Sequence, residues 1–97
     1  MSTVKDMTKW DAALWTDRLL PQAALQEMWT PAHVARGEST YGYGWNIRAT
    51  GGHRFVGHNG EFIGTSTQIM RFLDDKLTII LLANRDEINT PEMAMKI

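Results

Sequence analysis

The chain has 97 residues, of which 43% are hydrophobic and 22% charged, and its ten basic and eleven acidic residues give a formal net charge of -1. This length allows one domain with a modest core, and the even charge balance argues against nucleic acid and anionic membranes as partners. Because the chain has no cysteine, disulfides, thiolate catalysis and cysteine-based zinc sites are excluded.

Two helices are predicted at the start of the chain. Ser2 or Thr3 can cap the first, with Thr3 and Asp6 forming a capping box in which Asp replaces Glu. Apolar residues recur at three- and four-residue spacing, which predicts one apolar face of this helix: Val4, Met7, Trp10 and Leu14. Asp17 and the segment 19–21 end the helix.

A second, short helix is predicted after the first. Pro21 fits its first turn, and its apolar face comprises Ala24, Leu25 and Met28. Pro31 is expected to stop this helix. Residues 32–40 are predicted to form a polar loop.

From Gly42 the hydrophobic period changes to two, which predicts strands. The run 41–45 (Tyr-Gly-Tyr-Gly-Trp) is interpreted as the start of the first strand, with Tyr43, Trp45 and Ile47 on one side. Gly51-Gly52 predicts a hairpin turn, and residues 53–58 the return strand. Residues 61–64 are expected to be a loop, and residues 65–73 alternate again.

The last part of the chain is predicted to be a strand and a helix. Asp74-Asp75 is interpreted as a tight turn rather than a metal site or an acid–base pair. Residues 78–83 are continuously apolar, which predicts a strand covered on both faces. Pro91 opens a helix that runs to Met95. The fold class is therefore α+β: an antiparallel meander of about four strands with helices packed on it, in one domain.

His58, in Gly57-His58-Asn59-Gly60, is the first candidate functional residue. A histidine on this strand can donate to a substrate carboxylate or to a developing oxyanion. The alternative is a half-buried histidine bonded to backbone, and the motif alone favours it. His33, His53 and His58 have no metal-gathering spacing, so we expect neither a metal nor a cofactor.

Ser2 and Lys5 form a Ser-x-x-Lys motif, which puts a hydroxyl and an amine one helical turn apart. A working nucleophile of this type opens a buried helix, whereas Asp6 and Lys9 keep this one in water. Capping explains Ser2 and Thr3 without catalysis. The nucleophile interpretation is therefore the less favoured one.

A series of motifs follows in a fixed order along nearly the whole chain: Ser2-Thr3-x-x-Asp6-Met7-x-Lys9-Trp10, Leu19-Leu20-Pro21, Met28-x-Thr30-Pro31, the run 41–45, the runs 57–60 and 62–64, residues 77–84, and the segment from Pro91 onward. Their order and spacing together are fairly specific. They resemble the serine beta-lactamase and penicillin-binding-protein superfamily, in particular the C-terminal portion of its class C beta-lactamase and D-alanyl-D-alanine carboxypeptidase/esterase branch.

The resemblance implies roles for several residues. In that family a Ser-x-x-Lys serine attacks an acyl group, a Tyr-x-Asn element assists proton transfer, and a Lys/His-x-Gly strand binds the substrate carboxylate. By this resemblance His58 takes the first position of Lys/His-x-Gly, the third of these motifs. The backbone N–H of Glu61 is then the oxyanion donor, and Asn59 and Gly60 complete the strand. The sequence contains no Tyr-x-Asn. Ser2 and Lys5 lie where the family has an ordinary helix start, not where it has its nucleophile.

We therefore expect a C-terminal fragment of a serine hydrolase that is catalytically incomplete alone. One alternative is a non-enzymatic module for ligand binding or oligomerisation, with a groove near His58, Tyr43 and Trp45. Another is a small hydrolase that uses Ser2 and Lys5. The expected ligand is a small acyl compound.

The resemblance also bears on partners and compartment. In the related fold the strand at 77–84 lies beside strands from the N-terminal part, so here Ile79, Ile80, Leu81 and Leu82 would face water. We predict a homodimer or higher oligomer through this edge. The family is often periplasmic or secreted, and the N-terminus has no signal-peptide pattern, so the compartment stays open.

Overall fold

A computed structural model describes residues 2–30 and 41–97. The predicted helix stop at Pro31, the loop 32–40 and His33 lie outside the described residues. Within the described ranges the elements follow in the predicted order of two helices, four strands and a helix.

The first helix, α1, spans Val4–Leu14. Thr3 is its N-cap, and its hydroxyl accepts the backbone N–H of Asp6 at 3.1 Å, as a capping residue should. The predicted apolar face is partly wrong. Leu14 is buried, but Val4 and Trp10 are 50% and 41% exposed. The helix instead turns Asp11 to the sheet.

The other two helices agree with prediction. Helix α2 spans Gln22–Met28 directly after Pro21, and its Leu25 is buried. Helix α3 spans Thr90–Met95 with proline in its first turn. Its N-cap, Asn89, accepts the backbone N–H of Glu92 at 3.1 Å, which fixes where the helix begins.

The four strands form one antiparallel sheet in the order β1-β2-β3-β4, which confirms the meander. They are β1 Asn46–Thr50, β2 His53–Phe62, β3 Thr65–Phe72 and β4 Leu77–Ala83. Gly51 and Gly52 form the first hairpin turn with φ of 54° and 81°, values that favour glycine.

The aromatic–glycine run before β1 is a turn, so its interpretation as strand was wrong. The N–H of Gly42 donates to the carbonyl of Trp45 at 2.8 Å, and the N–H of Tyr43 to that of Met28 at 3.0 Å. A Cβ on Gly42 would lie 2.0 Å from the Met28 carbonyl oxygen. Glycine is therefore needed where this turn passes the end of α2.

Strand β2 is longer than predicted, and the expected loop at 61–64 is shorter. Its pairing with β3 continues to Phe62 opposite Thr65, which leaves only Ile63 and Gly64 in the turn. Gly64 has a φ of 77°. Because this glycine permits a two-residue turn, the strand does not need the longer loop.

The sheet separates two apolar clusters. On one face Leu14, Leu25, Trp29, Trp45 and Val56 pack together, beneath α1 and α2. A second cluster joins α3 to the opposite face: Phe55, Met70, Ile79 and Ala94. The fold is therefore a three-layer arrangement of helices, sheet and helix.

Coverage of β4 is less complete than predicted. Both α1 and α3 contact this strand, and Ile79 is 8% exposed. However, Leu77 and Leu82 are 52% and 38% exposed. The expectation that Ile79 faces water was also wrong, because it packs in the α3 cluster.

A buried ion pair connects α1 to the sheet. Arg71 of β3 is 0% exposed, and its Nε donates to Asp11 Oδ1 at 2.5 Å. The same carboxylate oxygen accepts the hydroxyl of Thr78 at 3.0 Å. The guanidinium lies 4.5 Å from the ring centroid of Trp15 and 5.2 Å from that of Trp29. This pair is why the helix buries a carboxylate.

Candidate active site

The second half of β2 extends beyond the end of β1. Pairing with β1 ends at Asn46 opposite Gly57, whereas pairing with β3 continues to Phe62. Residues 58–62 therefore have a strand on one side only, within the part of the chain that the structure describes. This segment contains the predicted Lys/His-x-Gly position.

The strand register shows which backbone groups face the open side. Two-residue turns close on hydrogen-bonded pairs, here Thr50 with His53 and Phe62 with Thr65. Because bonded and non-bonded pairs alternate along an antiparallel ladder, residues 58, 60 and 62 bond to β3. Asn59 and Glu61 then direct their N–H and C=O groups away from β3, to the open edge.

His58 has a partner at each ring nitrogen. Its Nδ1 lies 2.6 Å from the carbonyl oxygen of Asn59, and its Nε2 lies 3.1 Å from the hydroxyl of Tyr41. Since a carbonyl oxygen only accepts, Nδ1 must carry the hydrogen. In the neutral ring Nε2 is then the acceptor of the tyrosine O–H. A neutral His58 in this tautomer accepts hydrogen bonds at Nε2, and donation from Nε2 requires the charged ring.

The tyrosine that meets His58 was not singled out as a site residue. Tyr41 forms an isolated bridge with Asn46, and its ring meets that of His58 edge-on at 5.9 Å between centroids. The two residues are 17 positions apart. Only the turn before β1 brings them together, and no local spacing indicates such a contact.

A groove of about 550 Å³ lies beside His58 on the α1 face of the sheet. Its wall includes Ser2, Met7, Ile69, Ile80 and Leu82. The structure therefore brings Ser2 and His58 to one groove, although Lys5 is not among the residues that line it. The Ser2 hydroxyl donates to the carbonyl of Thr3 at 3.4 Å.

Two predicted ligand-binding aromatics lie elsewhere. Trp45 is 5% exposed and is stacked on Trp10 with 6.0 Å between ring centroids. It meets Trp29 edge-on at 6.5 Å. Tyr43 is 62% exposed in the turn before β1. Neither residue lines the groove at His58, and their roles in binding stay predictions.

Two features are absent from residues 2–30 and 41–97. In these ranges, no group of three or more histidine, aspartate or glutamate side chains is arranged to hold a metal ion. No helix of the described part has the length and apolar character needed to span a membrane.

Comparison with known proteins decides the family. The family model described as Beta-lactamase matches residues 1–96. The chain belongs to the beta-lactamase family. The resemblance to the serine beta-lactamase and penicillin-binding-protein superfamily is thereby confirmed.

A curated relative of this beta-lactamase-family chain is Penicillin-binding protein 4* of Bacillus subtilis (strain 168). It is 31% identical over 96 residues, which cover 97% of this chain and 21% of the relative. The chain therefore spans about a fifth of the relative's length. No solved structure matches the chain significantly.

Proposed function

We propose that this beta-lactamase-family chain supplies the histidine strand of an acyl-transfer site in a serine hydrolase and is catalytically incomplete alone. The observation that carries the proposal is the open edge of β2. At this edge the backbone N–H of Glu61 points away from β3. Glu61 lies on the same strand as His58, whose ring is bonded to Tyr41. A small acyl compound is the proposed ligand.

Each residue of this edge has a proposed role. The backbone N–H of Glu61 binds the oxygen on which negative charge develops, because a fixed donor that has no ladder partner among residues 2–30 and 41–97 needs no rearrangement. His58 binds the polar end of the ligand. Gly60 has no side chain, so the ligand can approach the backbone of β2 closely. Asn59 holds the His58 ring through its carbonyl oxygen, at 2.6 Å from Nδ1.

The proposed incompleteness follows from the missing nucleophile. Ser2 and Lys5 form the only Ser-x-x-Lys of the sequence, and no Tyr-x-Asn occurs. Both residues are exposed, and Lys5 does not line the groove. Without a nucleophile, an oxyanion donor has no intermediate to stabilise.

One observation favours a second candidate. Ser2 lines the same groove as His58, so a small hydrolase that uses Ser2 and Lys5 is the alternative to test. The third possibility is a non-enzymatic module that binds small ligands in this groove.

Turnover separates the two enzymatic candidates. The chain is incubated with a chromogenic cephalosporin and a nitrophenyl ester, beside Ser2→Ala and, as a control, Thr65→Ala, which removes an exposed hydroxyl that does not line the groove. We expect the buffer rate from all three proteins. Hydrolysis that is lost in Ser2→Ala and kept in Thr65→Ala would overturn incompleteness and establish Ser2 as the nucleophile.

Binding tests the site itself. Benzylpenicillin is the probe, because the relative is named for penicillin binding, and amide shifts are followed by NMR up to millimolar concentration. We expect the amides of residues 59–61 to shift. Glu61→Pro removes the N–H that faces the open edge and no ladder bond to β3, so it should abolish the shifts. Glu61→Ala removes the same carboxylate but keeps the N–H, so it should keep them. Equal binding by both variants would exclude Glu61 N–H as the donor.

A further inference from the structure

The hairpin formed by β2 and β3 carries two exposed apolar side chains at its tip. Phe62 is 76% exposed and Ile63 is 86% exposed. Neither residue belongs to the two apolar clusters of the described residues. An aromatic side chain left in water forgoes the favourable free energy of burial. The tip is therefore apolar surface beside the candidate site.

Phe62 lies on the same face of β2 as His58. Successive side chains of a strand point to opposite faces, so residues 58, 60 and 62 share one face. Gly60 has no side chain, so the rings of His58 and Phe62 flank a stretch of bare backbone. Four residues of extended strand separate the Cα atoms of these two residues by about 13 Å. The two rings thus bound a segment of β2 whose backbone a ligand can approach.

Hydrogen bonds on both sides of Phe62 hold the tip in place. Strand β2 pairs with β3 up to Phe62 opposite Thr65. In the turn, the N–H of Gly64 donates to Asp86 Oδ2 at 3.0 Å, which ties the turn to the segment after β4. The backbone at Phe62 is therefore fixed relative to His58. A ligand that contacts both residues has little chain left to order.

The acidic side chain nearest to this segment in sequence faces away from it. The side chain of Glu61 points to the opposite face of β2, where Glu61 lines a separate depression with Ser66. Among the described residues that line the groove at His58, none is acidic. The polar end of a ligand at His58 can therefore carry a negative charge without repulsion from the groove wall.

We propose that Phe62 determines the specificity of the proposed site by binding an aromatic side chain of the acyl compound. The inference rests on the proposed function, in which His58 binds the polar end and the N–H of Glu61 binds the reacting carbonyl oxygen. Along β2 these groups follow in the order 58, 61, 62. The ligand then carries, in the same order, a polar end, a reactive carbonyl group and an apolar side chain.

This order narrows the class of ligand. An acyl compound with a small side chain meets His58 and the N–H of Glu61 but leaves Phe62 in water. A compound with an aromatic side chain also covers the ring of Phe62, in the offset or edge-to-face arrangement that aromatic pairs prefer. A contact of this kind should strengthen binding about tenfold.

Two related compounds measure this preference. Benzylpenicillin has a phenylacetyl side chain, and the analogue with acetyl at the same amide keeps the ring system and the carboxylate but lacks the phenyl group. Dissociation constants are taken from the amide shifts of residues 59–61. The native chain should bind benzylpenicillin about tenfold more tightly than the analogue. Phe62→Ala should bind benzylpenicillin only as tightly as the analogue, with the affinity for the analogue unchanged.

Leu77→Ala is the matched control, because Leu77 is a 52% exposed apolar residue at the opposite end of the sheet, where it pairs with Phe72. This variant should keep the preference. Shifts at residues 59–61 with equal affinity of the native chain for the two compounds would overturn the role of Phe62 and leave the proposed function standing. A preference that persists in Phe62→Ala would do the same. No shifts at 59–61 with either compound would overturn both.

A contact measurement on the native chain does not depend on the variants. Nuclear Overhauser effects should connect the phenyl protons of bound benzylpenicillin with the ring protons of Phe62. Tyr43 is another exposed aromatic residue, 62% exposed in the turn before β1. Effects to the ring of Tyr43 in place of Phe62 would put the phenyl group elsewhere and overturn the inference.

Discussion

Neutralising Asp11 tests whether the buried ion pair holds α1 on the sheet. The side chain of Arg71 is 0% exposed and that of Asp11 13% exposed. Asp11 also accepts hydrogen bonds from Thr78 at 3.0 Å and from Trp15 Nε1 at 3.3 Å. Asp11→Asn keeps the shape of the side chain but leaves a guanidinium buried without its counter-charge.

The expected loss is large for a chain of this size. Breaking a buried pair by removing one charge costs about 3–5 kcal/mol. The whole free energy of unfolding of such a domain is about 5–15 kcal/mol. At roughly 4–8 °C for each kcal/mol, the melting temperature should fall by roughly 12–40 °C.

Urea unfolding followed by circular dichroism measures the loss, and Asp75→Asn is the matched control. Asp75 pairs with His53 at 2.7 Å, but the two side chains are 44% and 58% exposed. Solvent screens this pair, so its loss should cost less than about 1 kcal/mol. Equal losses in Asp11→Asn and Asp75→Asn would refute the reasoning.

A double variant separates the charge effect from packing. Replacing both charges with apolar side chains, as in Asp11→Leu with Arg71→Met, leaves no uncompensated charge in the interior. Such replacements of buried pairs are often neutral. The double variant should therefore be more stable than Asp11→Asn. If it is less stable, the packing of the guanidinium between Trp15 and Trp29 matters more than its charge.

Two further predictions concern β2. Gly57→Ala should destabilise the chain by about 1–3 kcal/mol, because its Cβ would lie 2.5 Å from a backbone carbonyl oxygen of β3. Gly60→Ala, whose Cβ would meet a threonine hydroxyl at 2.8 Å, should cost less, and the reverse order in urea unfolding would contradict this assignment. Long-range ¹⁵N–¹H spectra at alkaline pH should show neutral His58 with its hydrogen on Nδ1, both in the native chain and in Tyr41→Phe. A hydrogen on Nε2 in either protein would contradict the assigned tautomer.

Much of the fold could be predicted because its signals are local. The cap at Thr3, the Gly51-Gly52 turn and the alternating strands all depend on residues a few positions apart. The burial of Asp11 could not be predicted, since its partner Arg71 is 60 positions away. The apolar residues of α1 alone predict one buried face. The distant Arg71 cation determines which face is in fact buried.

The candidate site, too, could be predicted only where its signals are local. The motif at 57–60 was enough to place His58 on a strand, and the family match covers those residues. The open edge beside it depends on where β1 ends, which follows from pairing and not from composition. The contact with Tyr41 likewise depends on a turn that the alternating pattern concealed. Sequence patterns thus identified the histidine but not its hydrogen-bond partners.

The meander has a consequence for how the chain folds. Its hairpins join consecutive strands through turns of a few residues, and such short-range pairings form fast. Asp11 and Thr78, by contrast, are 67 positions apart, so α1 docks at a much higher loop-closure cost. We expect the hairpins to assemble first and the docking of α1 to come last, when Arg71 loses its water.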